Sequence, residues 1–116
     1  MKTILKKSIH FLKLIYSLLT SVPFITLSIL GNIVVFAFAG LLFLLEGGIN
    51  PGVKNFMDAL WWSFQTATTV GFGDIVPVTV YGKAIGILLM LVGVALFSIY
   101  TALFARAILD DPDYLN

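Results

Sequence analysis

The chain contains no cysteine, so neither a disulfide framework nor a thiolate metal site can form. Charge is scarce as well. Charged residues make up 11% of the 116 positions and hydrophobic ones 59%, a balance too apolar for a small soluble domain. Arg106 is the sole arginine, which leaves no arginine-rich voltage-sensing helix and no basic, aromatic-interleaved surface for nucleic acid. His10 is the sole histidine. With no Ser/His/Asp set, no metal-ligand cluster and no phosphate loop, the residues offer no catalytic machinery, and neither an enzyme nor a cofactor is expected. No internal repeat or low-complexity tract is visible.

What remains is dominated by two uncharged runs, Leu14 to Leu45 and Ala84 to Ala105, each beyond the roughly 18 apolar residues that argue for a membrane span. Pro23 divides the first run, because proline is best tolerated in the first turn of a helix. An outer helix over 23–45, at 1.5 Å per residue, reaches about 34 Å and crosses a hydrocarbon core of about 30 Å with modest tilt. Before it, Lys6, His10, Lys13, Ser17 and Thr20 recur at helical spacing while Leu5, Ile9, Leu12, Tyr16 and Leu19 take the opposite face. This pattern predicts an amphipathic helix on the membrane surface over 1–22. A cleaved signal peptide is disfavoured because no small-residue cleavage site follows. On that helix His10 reads as part of the solvated polar face.

Lys2, Lys6, Lys7, Lys13 and Arg106 lie outside the two runs, whereas Lys54 and Lys83 lie between them, which predicts a multi-pass protein of the cell membrane with both termini cytoplasmic. Residues 107–116 form a short cytoplasmic tail whose Asp110, Asp111 and Asp113 read as solvated.

Between the spans, Asn50-Pro51-Gly52 reads as a turn, and Asn55 with Asp58 as a helix cap. A helix over 56–68 is about 20 Å long, too short to cross, so it must enter the membrane and stop partway. Irregular backbone at that depth is tolerated only where protein shields it or where it lines a watery path. Gly71 and Gly73 alternate with larger residues, and glycine permits positive φ at alternate positions, so that successive carbonyls point one way. The negative end of the preceding helix dipole, aimed at the membrane centre, favours a cation there. One chain supplies only one side of a cation's shell.

Thr68-Thr69-Val70-Gly71-Phe72-Gly73-Asp74, preceded by Trp61-Trp62 and followed by Pro77-Val78-Thr79 and Tyr81-Gly82-Lys83, resembles the pore loop of potassium channels, and the stretch from about Asn55 to Arg106 resembles the bacterial two-helix pore-only channels. The resemblance implies an all-α membrane fold in which two transmembrane helices flank a re-entrant pore helix and filter, assembled as a homotetramer. It implies a potassium-selective channel whose permeant ions, rather than any cofactor, meet backbone carbonyls of Thr69, Val70, Gly71, Phe72 and Gly73, with the Thr69 hydroxyl, around a fourfold axis. Trp61, Trp62, Gln65, Thr68 and Asp74 would support this filter (69–74), with the Trp62 indole donating to Asp74. Phe72 stands where tyrosine is commoner, and Gln65 where some relatives carry glutamate, so that an amide bonds Asp74 without sharing a proton. Val76 replaces an aromatic at the outer mouth, which implies weak external block by tetraethylammonium.

The inner helix is expected over 82–106 within a pore domain of 23–106. Ser98, Thr101 and Ala105 share one of its faces, suited equally to a watery cavity or to close helix packing. The resemblance places Val94, Phe97, Thr101 and Ala102 along the passage and Gly93 at a gating hinge, a glycine that tight packing would equally explain. Arg106 reads as an interfacial anchor. Three alternatives stay open: a non-selective monovalent cation channel, a pore cut from a larger gated potassium channel, and a non-conducting regulatory subunit.

Overall fold

A computed structural model of the chain describes residues 1–112; Asp113 lies outside the described residues. Four helices follow one another: α1 (Lys2–Leu19), α2 (Val22–Glu46), α3 (Phe56–Ala67) and α4 (Val80–Leu109). Their ends fall a few residues from the expected ones for local reasons. Thr20 returns its hydroxyl to Tyr16 O at 3.0 Å and Ser21 to Leu18 O at 2.6 Å, closing α1 before Pro23 opens α2. The Asn55 side chain accepts from Asp58 N while Asp58 accepts from Asn55 N, a reciprocal cap on α3. Thr79 Oγ1 accepts from Gly82 N at 2.9 Å, which caps α4 and starts it at Val80 rather than at residue 82.

Two compact units make up the chain, residues 30–97 and residues 1–29 with those from 98 onward. The core of the first contains Val35, Ala39, Leu42, Val53, Ala59, Trp62, Ala67, Ile75 and Leu89. On α2 the buried positions Val35, Ala39, Leu42 and Glu46 repeat at four and three, and on α4 so do Gly82, Gly86, Leu89 and Gly93, each a single helical stripe. The three glycines let neighbours approach closely. A methyl at Gly86 would lie 3.5 Å from the Trp62 ring, and one at Gly93 would lie 2.7 Å from Ala67 Cα. Ser63 Oγ donates to Val35 O at 2.7 Å, a buried tie between α3 and α2 that contributes about 1 kcal/mol.

In the second unit Phe24 meets Tyr100 and Phe104 edge-on, at centroid distances of 5.3 and 6.2 Å, and Tyr100 Oη donates to Ser28 Oγ at 2.7 Å. His10 Nε2 lies 3.0 Å from Asp111 Oδ2. This corrects the reading of both residues as solvated. Helical periodicity reports only the faces of one helix, and a partner 101 positions away leaves no trace in it. Arg106 pairs with Asp110 one turn on, both exposed. Leu5, Leu12 and Tyr16 on α1 are exposed while Leu18 is buried.

Among the described residues α2 and α4 are the helices long and apolar enough to cross a membrane, and only 22% and 11% of their apolar windows are buried. The core helix of a soluble protein would be mostly buried.

Candidate functional site

The site begins where α3 ends. Thr68 caps the helix with φ −85° and ψ 0° and returns its hydroxyl to Phe64 O at 2.7 Å. Beyond it the chain takes positive φ at every second residue: 67° at Thr69, 58° at Gly71 and 80° at Gly73. Glycine adopts this region freely, whereas a β-branched threonine does so at a cost of order 1–3 kcal/mol, a strain found mostly at functional sites. Thr69 N–H to Thr66 O at 3.3 Å and Gly71 N–H to Gln65 O at 3.0 Å hold the segment on the end of the helix. A backbone that alternates in this way can turn successive carbonyls to one side.

Asp74 closes the segment, and its carboxylate is a hub. Trp61 Nε1 donates to Oδ2 at 2.8 Å, and Gln65 Nε2 and Ile75 N donate to Oδ1 at 2.9 and 3.1 Å. The Gln65 amide is the largest cause holding the Asp74 carboxyl below the usual aspartate range; desolvation opposes it and the Trp61 bond adds to it. Trp61 also stacks on Phe72, ring centroids 5.4 Å apart and planes 11° from parallel. One indole therefore holds both Phe72 and Asp74, and the ring stacking takes the place of a phenol bond that Phe72 cannot make.

The bond expected from Trp62 is made by Trp61. Trp62 is turned into the core at 3% exposure, over Gly86. Successive helical residues diverge by about 100°, so the two indoles face different ways, and it is Trp61 that reaches Asp74 while Trp62 is buried. The sequence carried no signal that separates the two tryptophans, because both lie within one turn of Gln65.

A model of the family described as "Ion channel" matches residues 28–110. The chain belongs to that ion channel family. A "Voltage-gated potassium channel" of Aeropyrum pernix is 43% identical over 68 residues, 55% of this chain and 23% of that protein. The "Calcium-gated potassium channel TvoK" of Thermoplasma volcanium is 42% identical over 50 residues, 43% of this chain and 14% of that one. The chain thus spans less than a quarter of the length of these relatives. A crystallised "voltage-gated K+ channel pore domain in a closed state in lipid membranes" superposes with a TM-score of 0.61 at 34% identity, covering 70% of this chain and 90% of that one. The fold is that of a potassium-channel pore domain, and the ion channel chain is a membrane protein.

Beyond residues 69–74 lies a second hub that the sequence reading passed over. Glu46, which follows the first uncharged run directly, is fully buried. Its carboxylate accepts from Asn50 Nδ2 at 2.9 Å, Val78 N at 3.0 Å, Thr79 N at 3.0 Å and Thr79 Oγ1 at 2.7 Å. Asn50 Nδ2 also donates to Val76 O at 2.8 Å. The last residue of α2 thereby fixes both the chain leaving the filter and the cap of α4. Gly82 is required there, because a Cβ on it would collide with the Glu46 carboxylate. The available signal was the lone carboxylate at the end of a span, a position where an ionisable group needs a named partner.

The structure brings Trp61, Gln65, Thr68, Phe72 and Asp74 together around residues 69–74 and sets Trp62 apart from them. Val94 and Phe97 are half exposed in the single chain, and Thr101 and Ala102 are exposed too. Gly93 is buried against the backbone of Ala67 at the foot of α3.

Proposed function

We propose that the chain is the pore-forming subunit of a potassium-selective channel, a homotetramer in which the carbonyls of Thr69, Val70, Gly71 and Phe72 and the Thr69 hydroxyl replace the hydration shell of potassium. The observation that carries this reading is the positive φ at residues 69, 71 and 73, at the end of a helix too short to cross a membrane. Carbonyls turned to one side of each chain become a cage only when several copies surround an axis. The channel names of the relatives support the same ion, and conduction is passive, down the potassium gradient.

In this reading α2 and α4 are the outer and inner spans, and Val94, Phe97, Thr101 and Ala102 face the passage below the filter. The α4 helix runs unbroken from Val80 to Leu109, and bending at Gly93 would open the inner mouth. The α1 helix lies along the cytoplasmic surface of the cell membrane, its exposed Leu5, Leu12 and Tyr16 among acyl chains and Lys2, Lys6 and Lys13 at headgroup level.

The decisive experiment is flux through liposomes holding only this protein, under potassium and then sodium gradients, with and without barium, which matches potassium in size. Potassium-selective, barium-blocked flux is the expected result. Equal flux of both ions would make it a non-selective cation channel, the reading that a damaged row of carbonyls would produce. Absence of flux that persists after conditions opening a closed gate have been tried would point to a non-conducting regulatory subunit.

A further inference from the structure

Asn50 opens the turn that follows α2 (Val22–Glu46), is buried at 6% exposure, and has both ends of its side-chain amide bonded. Oδ1 accepts from Gly52 N at 2.9 Å, while Nδ2 donates to Glu46 Oε1 at 2.9 Å and to Val76 O at 2.8 Å. The partners fix which way the amide points, because a backbone N–H needs an acceptor and a carbonyl needs a donor. A turn residue requires only the first of these bonds, an Asx turn that aspartate makes equally well. The two donations are what asparagine adds, and the second reaches a residue two positions beyond Asp74. We propose that Asn50 is a positioning residue for the ion path: through Val76 it fixes the exit of the filter and so sets how firmly the last carbonyls hold potassium. The proposal rests on the reading of residues 69–73 as that path.

Gly73 carries a φ of 80°, and glycine imposes no conformation of its own on the peptides beside it. Its geometry has to be set by what holds the residues around it. From α3 (Phe56–Ala67), Trp61 and Gln65 hold Asp74. From the loop after α2, Asn50 holds the Val76 carbonyl, and Ile75 is buried beside the same turn, where a methyl on Gly52 would lie 3.7 Å from Ile75 Cγ1. Only Asp74 and Ile75 separate Val76 from Gly73, and a planar peptide passes a shift at one end on to the other. An ion that binds only the intact row of carbonyls stabilises that row by mass action. A filter that has lost its restraint at Val76 therefore needs more potassium to keep its shape. The loss of one ordinary hydrogen bond corresponds to a requirement raised about fivefold.

The test is potassium current through planar bilayers holding only the full chain, recorded as external potassium is lowered, in wild type, Asn50→Asp, Asn50→Ala and Pro51→Ala. Asn50→Asp keeps the acceptor of the turn and loses both donors, and Asn50→Ala loses them without adding a charge. Pro51→Ala loosens the same turn and keeps every bond of Asn50. The quantity read is the external potassium that preserves half of the initial current over a fixed interval. It should rise about fivefold in both Asn50 variants, with a lower potassium-to-sodium ratio at low potassium and wild-type behaviour at high potassium. Pro51→Ala should lower the unfolding temperature in detergent and leave the potassium requirement at the wild-type value. An Asn50 variant with the wild-type requirement overturns the proposal. So does an equal rise in Pro51→Ala, which would make the turn responsible rather than the amide. If neither Asn50 variant assembles, the residue serves folding alone and the proposal falls. The potassium-to-sodium ratio and barium block of the wild type, measured in the same bilayers, test the filter reading separately. A wild type that passes both ions equally removes that reading, whereas a selective wild type with indifferent Asn50 variants removes only this proposal.

Discussion

At the scale of single residues, the segment after α3 is held by donors that converge on Asp74, and the two tryptophans before it divide the work. Trp61→Phe keeps a ring to stack on Phe72 but deletes the Nε1–H that reaches Asp74 at 2.8 Å. Its potassium current should decay several-fold faster under sustained gradients, with a lower potassium-to-sodium flux ratio. Trp62→Phe removes an indole from the core and should leave both quantities near wild type while lowering the temperature at which the protein aggregates. Asp74 also sets an acid limit. Its carboxyl is held below the usual aspartate range, chiefly by the Gln65 amide, so the stabilisation is fully present above the ordinary value of about 4 and is lost as pH falls through the lowered one. Flux measured against external pH should hold down to about pH 4 and collapse below it, whereas Asp74→Asn should show reduced flux with no such acid edge. Adjacent Trp61 and Trp62 look interchangeable in sequence, since both lie within one turn of Gln65, and only the structure tells them apart.

At the scale of the element, the stripe of Gly82, Gly86 and Gly93 makes α4 a surface onto which α3 and the chain after the filter can settle. Gly82→Ala drives a methyl into the Glu46 carboxylate and to 2.8 Å from Thr79 Oγ1, so it should break the hub from the α4 side. Glu46→Ala breaks it from the α2 side by orphaning buried donors, at about 3 kcal/mol. Both variants should show a markedly lower unfolding temperature in detergent, and combining them should cost little more than either alone, because they remove the same contacts. Gly93→Ala separates hinge from packing. A methyl there overlaps the backbone of Ala67 and should push the foot of α3, degrading potassium selectivity; a role in bending alone would change the open fraction and spare selectivity. The helices themselves were legible in the sequence because run length, Pro23, and the Asn55 and Asp58 cap are local signals. The glycine stripe and the Glu46 hub were not, since they depend on which faces of α2, α3 and α4 meet, and that is decided by packing between segments more than thirty residues apart, such as Glu46 and Thr79.

At the scale of the whole molecule, the backbone of residues 69–73 was readable at Gly71 and Gly73, whose spacing reveals the positive φ found there. The Thr69 backbone was not readable in the same way, for threonine gives no warning of a φ of 67°, and only the structure shows the alternation running through all three positions. That alternation makes the single chain incomplete. Val70 and Phe72 stand exposed at 58% and 67%, and Val94 and Phe97 at 52% and 51%, so one chain leaves bare both the filter and the surface below it. If four identical chains close around one axis, a chain that cannot form the filter should disable every assembly it enters. Gly71→Ala supplies such a chain, because its native φ of 58° strains any residue with a Cβ. Mixed with wild type in equal amounts before assembly, it should leave about one sixteenth of the wild-type flux, the share of tetramers that contain no variant chain. A residue of about one half would mean that each chain conducts alone, and about one quarter that two chains suffice, so the same titration counts the subunits that build the pore.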